Sequence, residues 1–384
     1  MSKLYCYQSS SYALQFDLTK YDTSLMYIMS IFFRNYFVND RFNILNDVAE
    51  WNIISRCDNI NDIWNTKYFS FEECCRKRTD EIIDLVGDSN IFVLSSGGVD
   101  STCVICSFLM NERLNKNNFY VLYNDRTVME YPSLIQYLKK NGVKCIDTNM
   151  SYEVISSYST KGYIVSGFGG DEIASSCSNG FVNWKDWFRG YCVHENPIKS
   201  YKFCDKWISQ IEDYSNKLNI PINTNSEMIT LMSYGLHYST VLYQSSIVWD
   251  NPYSHIPFFD TLYFNKHHLI FRKNLRFSSV LSSKDYKTEF KRVIYKCIKD
   301  EYYFLNKHKS MSYMHTYMLP LGFYWFDDNG CHKLPFVSKE TLYEIIIKYI
   351  KPEYREFLYL DDTPHKRWTA WRNGTLKERG LNVY

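Results

Sequence analysis

Residues 91–108 read IFVLSSGGVDSTCVICSF and predict a buried strand, a glycine turn and a helix that begins near Asp100. In this order, the three elements point backbone N–H groups and the positive end of the helix dipole at one place, where an anion is stabilised. Gly97 and Gly98 let the backbone approach that anion closely, because they carry no side chain and tolerate positive φ. The stretch therefore predicts a phosphate-binding loop, and a tight turn that only caps a helix is the alternative.

Polar side chains of this loop bear on the same prediction. Ser96 and Ser101 supply hydroxyl donors for phosphate oxygens. Asp100 is negatively charged and repels an anion unless a metal ion such as Mg²⁺ joins its carboxylate to the phosphates. The chain contains no GxxxxGK[ST] sequence, so the loop of the common kinases and GTPases is excluded.

A second glycine loop lies at residues 161–176, which read KGYIVSGFGGDEIASS. Its first part predicts a short apolar strand, and the glycines and acidic residues follow at once. By itself, Gly-Gly-Asp-Glu is a common surface turn. Its position directly after a strand, and downstream of the first loop, favours a functional loop over a plain turn.

The sequence around these loops alternates helices with strands. The predicted helices are 71–86 and 132–140, and the predicted strands are 91–94, 119–123 and 144–147. This alternation predicts an α/β fold with a doubly wound parallel sheet. Ligands of such sheets bind at the carboxyl ends of the strands, where both glycine loops begin, so we expect one shared site. From residue 200 onward the pattern predicts mainly helices.

Residues 96–101, SGGVDS, resemble the pyrophosphate loop of the N-type ATP pyrophosphatases, which cleave ATP between its α- and β-phosphates. Residues 166–172, SGFGGDE, resemble the SGxGxDE signature of the asparagine synthetase family. Further matches follow in the family's order: residues 254–260 with its RVPFLD string, 287–291 with KxxLR, and 307–310 with RxKxxF. The chain is therefore similar to the synthetase domain of asparagine synthetases, a group that includes β-lactam synthetases and lasso peptide cyclases.

The resemblance spans about residues 70–320 and implies an adenine nucleotide alpha hydrolase-like fold and a ligase reaction. Such enzymes use ATP and Mg²⁺ to adenylate a carboxylate with loss of pyrophosphate, and an amine then displaces AMP to form an amide. Asp100 and Asp171 correspond to the carboxylates that hold Mg²⁺-pyrophosphate, and Lys309 to the lysine that stabilises charge on the α-phosphate. These three are the expected catalytic residues. The expected ATP and pyrophosphate contacts are Leu94, Ser96, Gly97, Gly98, Asp100, Ser101, Leu122, Gly167 and Lys309.

Two departures from the family pattern bear on the substrates. Glutamine-dependent members begin with a catalytic cysteine on a glutaminase domain, whereas this chain begins Met-Ser-Lys and Cys6 lacks the terminal position. We therefore expect free ammonia, another amine, or ammonia from a separate amine-donor subunit. The second departure is Phe168, which stands where asparagine synthetases have glutamate and β-lactam synthetases have tyrosine. Phenylalanine cannot transfer a proton, so we expect Phe168 to line an apolar acceptor pocket, with a small molecule or peptide as substrate and not asparagine as product.

Composition limits the remaining classes. The 384 residues are 45% hydrophobic with a formal net charge of +2, so we expect a globular protein without a nucleic-acid partner. No signal peptide opens the chain and no apolar run reaches about 18 residues, so we expect no membrane partner. Its 12 cysteines follow no disulfide or zinc spacing, and Cys103 and Cys106 are expected to pack inside a helix. Free thiols and ATP chemistry predict a cytoplasmic protein.

Three regions are predicted along the chain. Residues 1–75 form a small N-terminal module without glutaminase, residues 76–320 the synthetase-like ATP-binding domain, and residues 321–384 a C-terminal extension that packs on it. Near the end of the extension, Trp368 and Trp371 lie among basic residues. We favour a packed amphipathic helix there over a surface for an acidic or nucleotide ligand.

Two other functions stay open at this point. A catalytically retired protein could keep the scaffold and bind a nucleotide, although intact Asp100, Asp171 and Lys309 argue against retirement. Another activity of pyrophosphatase-loop proteins, such as nucleobase or tRNA modification, fits the first loop but not the downstream strings. Release of pyrophosphate in the presence of ATP and Mg²⁺ distinguishes an enzyme from a retired scaffold.

Overall fold

The structure, a computed structural model, describes twelve segments of the chain: residues 3–5, 13–16, 41–42, 59–148, 152–173, 182–194, 201–238, 254–274, 287–307, 323–327, 330–334 and 358–361. Lys309 and the tryptophans of the C-terminal tail lie outside these segments. Within them, no helix combines the length and the apolar character that a membrane crossing needs.

The strands of the described segments belong to one larger and two small sheets. In chain order they are β1 (Lys3–Tyr5), β2 (Ala13–Phe16), β3 (Asn90–Leu94), β4 (Phe119–Tyr123), β5 (Lys144–Asp147), β6 (Gly162–Ser166), β7 (His255–Pro257), β8 (Phe323–Asp327), β9 (Gly330–Leu334) and β10 (Leu358–Asp361).

The α-helices of the same segments surround the larger sheet or form a separate helical cluster. They are α1 (Ile60–Asn65), α2 (Phe71–Val86), α3 (Val99–Leu109), α4 (Asp125–Glu130), α5 (Leu134–Lys140), α6 (Tyr152–Ser157), α7 (Gly170–Ile173), α8 (Trp184–His194), α9 (Tyr201–Leu218), α10 (Asn225–Met232), α11 (Leu262–Asn274), α12 (Thr288–Ile298) and α13 (Glu301–Asn306).

The larger sheet has five strands in the order β5-β4-β3-β6-β7, and every neighbouring pair is parallel. This arrangement confirms the predicted parallel α/β fold. Successive strands are added on one side of β3 up to β5, and the chain then returns to place β6 on the other side. Ligands of open parallel sheets bind in the crevice at such a reversal. The two glycine loops follow β3 and β6, the strands between which the order reverses.

Alternate residues of β3 face opposite sides of the sheet, as the two-residue period of a strand requires. Ile91 and Val93 pack with residues of α2, α3, α5 and α12 in the main hydrophobic core. Phe92 and Leu94 belong to a smaller cluster on the other face, against which Ile155 of α6 packs. Because helices contact both faces, β3 reads as a continuous apolar run and not as an alternating one.

Side chains cap the N-terminus of helix α2 and anchor the helix to the end of β7. Ser70 and Glu73 form a capping box at its first turn. Arg78, buried on the same helix, donates hydrogen bonds to the carbonyl oxygens of Pro257 at 2.9 Å and Phe258 at 3.1 Å. These bonds hold the end of β7 against α2. The sequence pattern did not predict β7, because a strand of three residues that includes a proline carries almost no periodic signal.

Between residues 200 and 307, the described segments are mainly helical, and β7 is the one strand among them. The prediction of a mainly helical second half is incomplete, however, because β8, β9 and β10 follow. β8 pairs with β9 and also with β1, and β10 pairs with β2, all antiparallel. The aromatic run Phe323–Phe326 and the Asn329-Gly330 dipeptide are the hairpin signals that the sequence offered there. The predicted domain boundaries stay predictions.

Candidate functional site

The first glycine loop joins β3 to α3 in a shape that only glycine permits. Gly97 has φ of +73°, and a β-carbon at this position would lie 2.6 Å from the carbonyl oxygen of Thr127. A larger residue would strain the backbone and collide with α4 at once. The Thr127 hydroxyl donates a hydrogen bond to the Ser95 carbonyl oxygen, which ties α4 to the loop. The close approach at Gly97 and the hydrogen bond to Ser95 therefore both restrain the backbone path of the loop.

The serines of this loop lie together beside the N-terminus of α3. The Ser96 N–H donates to the Ser101 hydroxyl oxygen over 3.1 Å, and the two hydroxyl oxygens are also 3.1 Å apart. Gly98 is the N-cap residue and carries no side-chain cap, and its N–H donates to Ser96 Oγ over 3.3 Å. The positive end of α3 and two hydroxyl groups thus converge on one loop, an arrangement suited to an anion.

The second glycine loop packs directly against the first. A β-carbon at Gly167 would lie 2.9 Å from the backbone nitrogen of Ser101, and one at Gly170 would lie 2.6 Å from Cγ of Asp100. Gly169, between them, has φ of +86°. Each of these glycines is required by close approach or by backbone conformation. Two loops about 70 residues apart in the sequence therefore form one structural unit.

Lys287 bridges the two loops electrostatically. Its ammonium contacts a carboxylate oxygen of Asp100 and lies 2.8 Å from a carboxylate oxygen of Asp171. The Lys287 side chain is 0% exposed, whereas 23% of the Asp100 side chain and 48% of the Asp171 side chain remain exposed. The predicted proximity of Asp100 and Asp171 is thus present, and a lysine lies between them.

The surroundings of Asp100 disfavour its ionised carboxylate in spite of the nearby Lys287 ammonium. Burial raises the pKa of Asp100 to about 6, Lys287 opposes the rise, and the like charge of Asp171 adds to it. The backbone at Lys287 is also unusual, because φ is +48° at a residue that is not glycine. That conformation costs on the order of 1 kcal/mol, and such strain concentrates at functional sites.

Sequence reasoning placed Lys287 in a motif but gave it no role. A lysine at the start of an amphipathic helix is ordinarily a solvated residue, and nothing in the local pattern marks this one as buried. Its importance follows from the packing of α12 against α3, which carries the ammonium to the first turn of α3, where Asp100 lies.

No group of three or more His, Cys, Asp or Glu side chains that could hold a metal ion occurs in the described segments. Asp100 and Asp171 nevertheless present oxygens to one point, the Lys287 ammonium. Carboxylate oxygens are ligands that Mg²⁺ accepts, and Mg²⁺ commonly uses one or two of them together with phosphate oxygens and water. The pair therefore fits a metal ion that a phosphate ligand helps to hold.

Three of the expected ATP contacts, Leu94, Leu122 and Gly167, lie at the ends of neighbouring strands. Leu94 of β3 and Leu122 of β4 are aligned in register and belong to the same apolar cluster. Leu122 is buried, whereas Leu94 is partly exposed. Gly167 directly follows β6, the neighbour of β3 on its other side. All three positions thus meet at the carboxyl edge of the sheet.

Phe168 forms the exposed tip of the second loop. Its side chain is 41% exposed, and its ring lies edge-on to His255, with centroids 6.4 Å apart. The Nε2 atom of buried His255 is 2.8 Å from the hydroxyl oxygen of Ser166. Burial lowers the pKa of His255 to about 3, so its imidazole is neutral at physiological pH. His255 therefore places an uncharged ring behind Phe168. The sequence analysis did not single out this histidine.

Lys309 lies outside the described segments, but the chain shortly before it is anchored near the first glycine loop. Lys307 forms an ion pair with Glu130. The β-carbon of Glu130 lies 2.9 Å from the position of a β-carbon at Gly97. The preceding helix is held by Tyr303, whose ring stacks on Tyr131 with centroids 4.0 Å apart.

A scan of the sequence against models of known protein families finds no match. The resemblance to the asparagine synthetase family therefore depends on the motifs themselves, and it enters the function below as part of a proposal.

Proposed function

We propose that this chain is an ATP-dependent amide-bond-forming ligase, which adenylates a carboxylate with release of pyrophosphate and transfers the acyl group to an amine with release of AMP. The observation that carries the proposal is the contact between the two glycine loops. Gly170 packs against Asp100 with no room for a side chain, and Lys287 joins Asp100 to Asp171. The two strings that resemble the family's ATP signatures thus meet at the point where a parallel sheet binds its ligands.

ATP would lie across the carboxyl edge of the sheet in this proposal, in the manner of adenine nucleotide alpha hydrolase-like proteins. The adenine would contact Leu94, Leu122 and the backbone of Gly167. The pyrophosphate would contact the first loop, where N–H groups and the hydroxyls of Ser96 and Ser101 converge. The N-terminus of α3 favours negative charge at that place.

Asp100 and Asp171 are the residues that would hold Mg²⁺. When bound, Mg²⁺ supplies the positive charge that lets two carboxylates and a pyrophosphate share a site. Lys287 adds a fixed ammonium at the same point. Lys309 is proposed as the cation at the α-phosphate, where negative charge builds up as the carboxylate attacks.

The acceptor side supports an apolar substrate. Phe168 and the neutral imidazole of His255 present no charge and no group that takes up a proton at physiological pH. Such a wall offers no counter-charge to an ammonium ion or a small charged amino acid, whereas an apolar or aromatic group of a small molecule or peptide can pack on Phe168. We therefore propose an acceptor of this kind, with its amine or ammonia supplied free or by a separate subunit, and a cytoplasmic setting where ATP is available.

One observation favours a second candidate, a retired nucleotide-binding protein. The Lys287 ammonium already contacts a carboxylate oxygen of each aspartate and compensates part of their combined charge. A scaffold of this kind could bind a nucleotide without a metal and without turnover.

Exchange of labelled pyrophosphate into ATP separates the two candidates, because it requires reversible adenylation. The purified chain is incubated with ATP, Mg²⁺ and a panel of carboxylic acids, with hydroxylamine as a general acceptor in parallel. The ligase requires acid-dependent exchange and hydroxamate formation, both lost in Asp171→Asn and kept in Asp213→Asn, a matched change at an exposed ion pair of α9. Nucleotide binding without exchange for any acid would support the retired scaffold instead.

A further inference from the structure

Glu130 and Lys307 form an ion pair beside the first glycine loop. Glu130 is the last residue of α4, and its β-carbon is 2.9 Å from the place that a β-carbon on Gly97 would occupy. Lys307 is the C-cap residue of α13, and its ammonium contacts a carboxylate oxygen of Glu130. The Glu130 side chain is 20% exposed and the Lys307 side chain 13%. A mostly enclosed pair of opposite charges therefore borders the loop.

The Glu130 carboxylate is close enough to the loop to act on an anion bound there. A glutamate oxygen lies at most three covalent bonds from its own β-carbon. With bonds of about 1.5 Å or less, the oxygens of Glu130 therefore lie within about 9 Å of the Gly97 α-carbon. This distance is shorter than the Debye length of about 10 Å at 0.1 M salt, and partly buried charges are screened less than exposed ones. A carboxylate there repels phosphate groups unless a cation compensates its charge.

Helix α13 is docked in a way that brings Lys307 to this carboxylate. One oxygen of Asp300 caps the helix by accepting the Tyr303 N–H over 2.9 Å, and the other accepts the Tyr131 hydroxyl over 2.9 Å. The rings of Tyr131 and Tyr303 are stacked, with centroids 4.0 Å apart. The Lys307 N–H donates to the Tyr303 carbonyl oxygen over 3.0 Å, and its ammonium is 5.9 Å from the centroid of the Tyr303 ring. Tyr131 directly follows Glu130, so two consecutive residues hold both ends of α13.

A cation at this place has two conceivable roles toward a phosphate ligand. A direct bond to phosphate requires the Lys307 ammonium to leave Glu130, and a mostly enclosed carboxylate that loses its cation is strongly unfavourable. The loss is larger when the carboxylate then faces phosphate charges. An intact pair adds no net charge to the loop and leaves its N–H groups and hydroxyls free to bind the anion. The contacts of Lys307 therefore favour the second role, compensation of Glu130.

We propose that Lys307 is a positioning residue that acts through Glu130: it compensates the Glu130 charge and thereby sets the affinity of the first glycine loop for phosphate groups, without a contact of its own to them. This inference rests on the phosphate site of the proposed function. It does not depend on turnover, because a ligase and a retired nucleotide-binding protein both hold phosphates at this loop. Within the string at 307–310, sequence reasoning gave a role only to Lys309.

Isothermal titration of the full chain with pyrophosphate and with ATP, both with Mg²⁺, tests the proposal. Lys307→Met should weaken binding of both ligands about tenfold at low salt, because the Glu130 charge then acts on them. The defect should shrink as the salt concentration is raised from about 0.05 to 0.5 M. Addition of Glu130→Gln should return both affinities to within about threefold of the wild type, since the repelling charge is gone. Lys296→Met, which breaks an exposed ion pair of α12, is the matched control and should keep wild-type affinity.

A double variant that binds as weakly as Lys307→Met would overturn the proposal, because the ammonium itself would then contact the phosphates. A defect that does not respond to salt and follows a fall in melting temperature would also overturn it, in favour of a purely structural pair. If Lys307→Met does not fold, Glu130→Gln alone decides: an ammonium that this carboxylate no longer neutralises should tighten pyrophosphate binding at least about threefold, and unchanged affinity would contradict the proposal.

The wild-type titration separates this proposal from the proposed function. A wild-type chain that binds neither pyrophosphate nor ATP refutes the phosphate site, and with it the inference. Wild-type binding together with any of the contrary variant results refutes the role of Lys307 alone.

Discussion

Gly170 faces Asp100 so closely that a β-carbon on it would lie 2.6 Å from the carboxyl carbon of the aspartate. Contacts of this length are essentially never observed, so the second glycine loop can approach the first only because residue 170 has no side chain. The position of Asp100, and with it the contact to Lys287, depends on this glycine.

Gly170→Ala is therefore expected to displace Asp100 and to weaken ATP binding at least tenfold, with a loss of stability of about 1–3 kcal/mol from overpacking. Isothermal titration with ATP and Mg²⁺ and thermal unfolding measure the two effects. Gly190→Ala is the matched control, because a β-carbon there meets nothing within 4 Å and the residue lies in α8. The control should keep full ATP affinity and gain up to about 1 kcal/mol from helix propensity. Equal behaviour of the two variants would contradict the close approach.

Lys287→Met is expected to leave two carboxylates facing each other without their shared cation. Removal of one partner from a buried ion pair costs about 3–5 kcal/mol, and the exposure of Asp171 should reduce this toward the lower end. We also expect Mg²⁺ alone to raise the melting temperature of the variant, because the metal can replace the ammonium between Asp100 and Asp171.

Differential scanning fluorimetry with and without Mg²⁺ measures this response. Lys296→Met is the control on the same helix, since the Lys296–Glu72 ion pair is exposed and should be worth less than about 1 kcal/mol. A Lys287→Met variant that is as stable as Lys296→Met and indifferent to Mg²⁺ would show that the carboxylates do not share a cation.

Asp100→Asn is expected to abolish turnover while raising the stability of the ligand-free protein at neutral pH. The folded pKa of Asp100, about 6, lies above the unfolded value of about 3.9. Between these values the folded state keeps a proton that the unfolded state releases, so wild-type stability falls as pH rises through this window and stays lower above it. The variant has no such loss, and its advantage should grow from about 0.5 kcal/mol at pH 4 to about 3 kcal/mol at pH 7.

Urea unfolding at several pH values measures that difference. An advantage of Asp100→Asn that is the same at pH 4 and pH 7 would show that burial of Asp100 does not raise its pKa.

Lys309→Ala is expected to lower the rate of pyrophosphate release by about 100- to 1000-fold, as loss of one transition-state donor typically does. The melting temperature should stay nearly unchanged. Pyrophosphate exchange together with thermal unfolding separates a catalytic loss from misfolding, and Lys296→Ala serves as the matched surface change. Near-native exchange in Lys309→Ala would mean that the downstream lysine is assigned wrongly.

Phe168→Glu is expected to change the preference among acceptors while ATP affinity stays within about threefold of the wild type. The reason is that Phe168 lies at the exposed tip of its loop, with its ring edge-on to His255. Product analysis with apolar and cationic amines, alongside an ATP titration, measures both. If the substitution eliminates ATP binding, the acceptor pocket is not where Phe168 lies.

The sequence by itself determined the parallel α/β fold and the place of its loops, because strand and helix periods are local properties. The apolar run before Gly97, the similar run before Gly167 and the spacing between them were enough to predict two loops at one edge of a sheet. The short strand β7 was missed for the same reason, since three residues carry no period, and the strands after residue 320 were missed because the helical pattern before them was extended too far.

Only the tertiary structure decided which charged groups meet. Lys287 is separated from Asp100 by 187 residues, and no local pattern distinguishes a lysine that becomes fully enclosed from one that stays in solvent. Which helices contact each other depends on how their apolar faces pack. That packing results from many weak contacts across the core, and no single segment of sequence determines it.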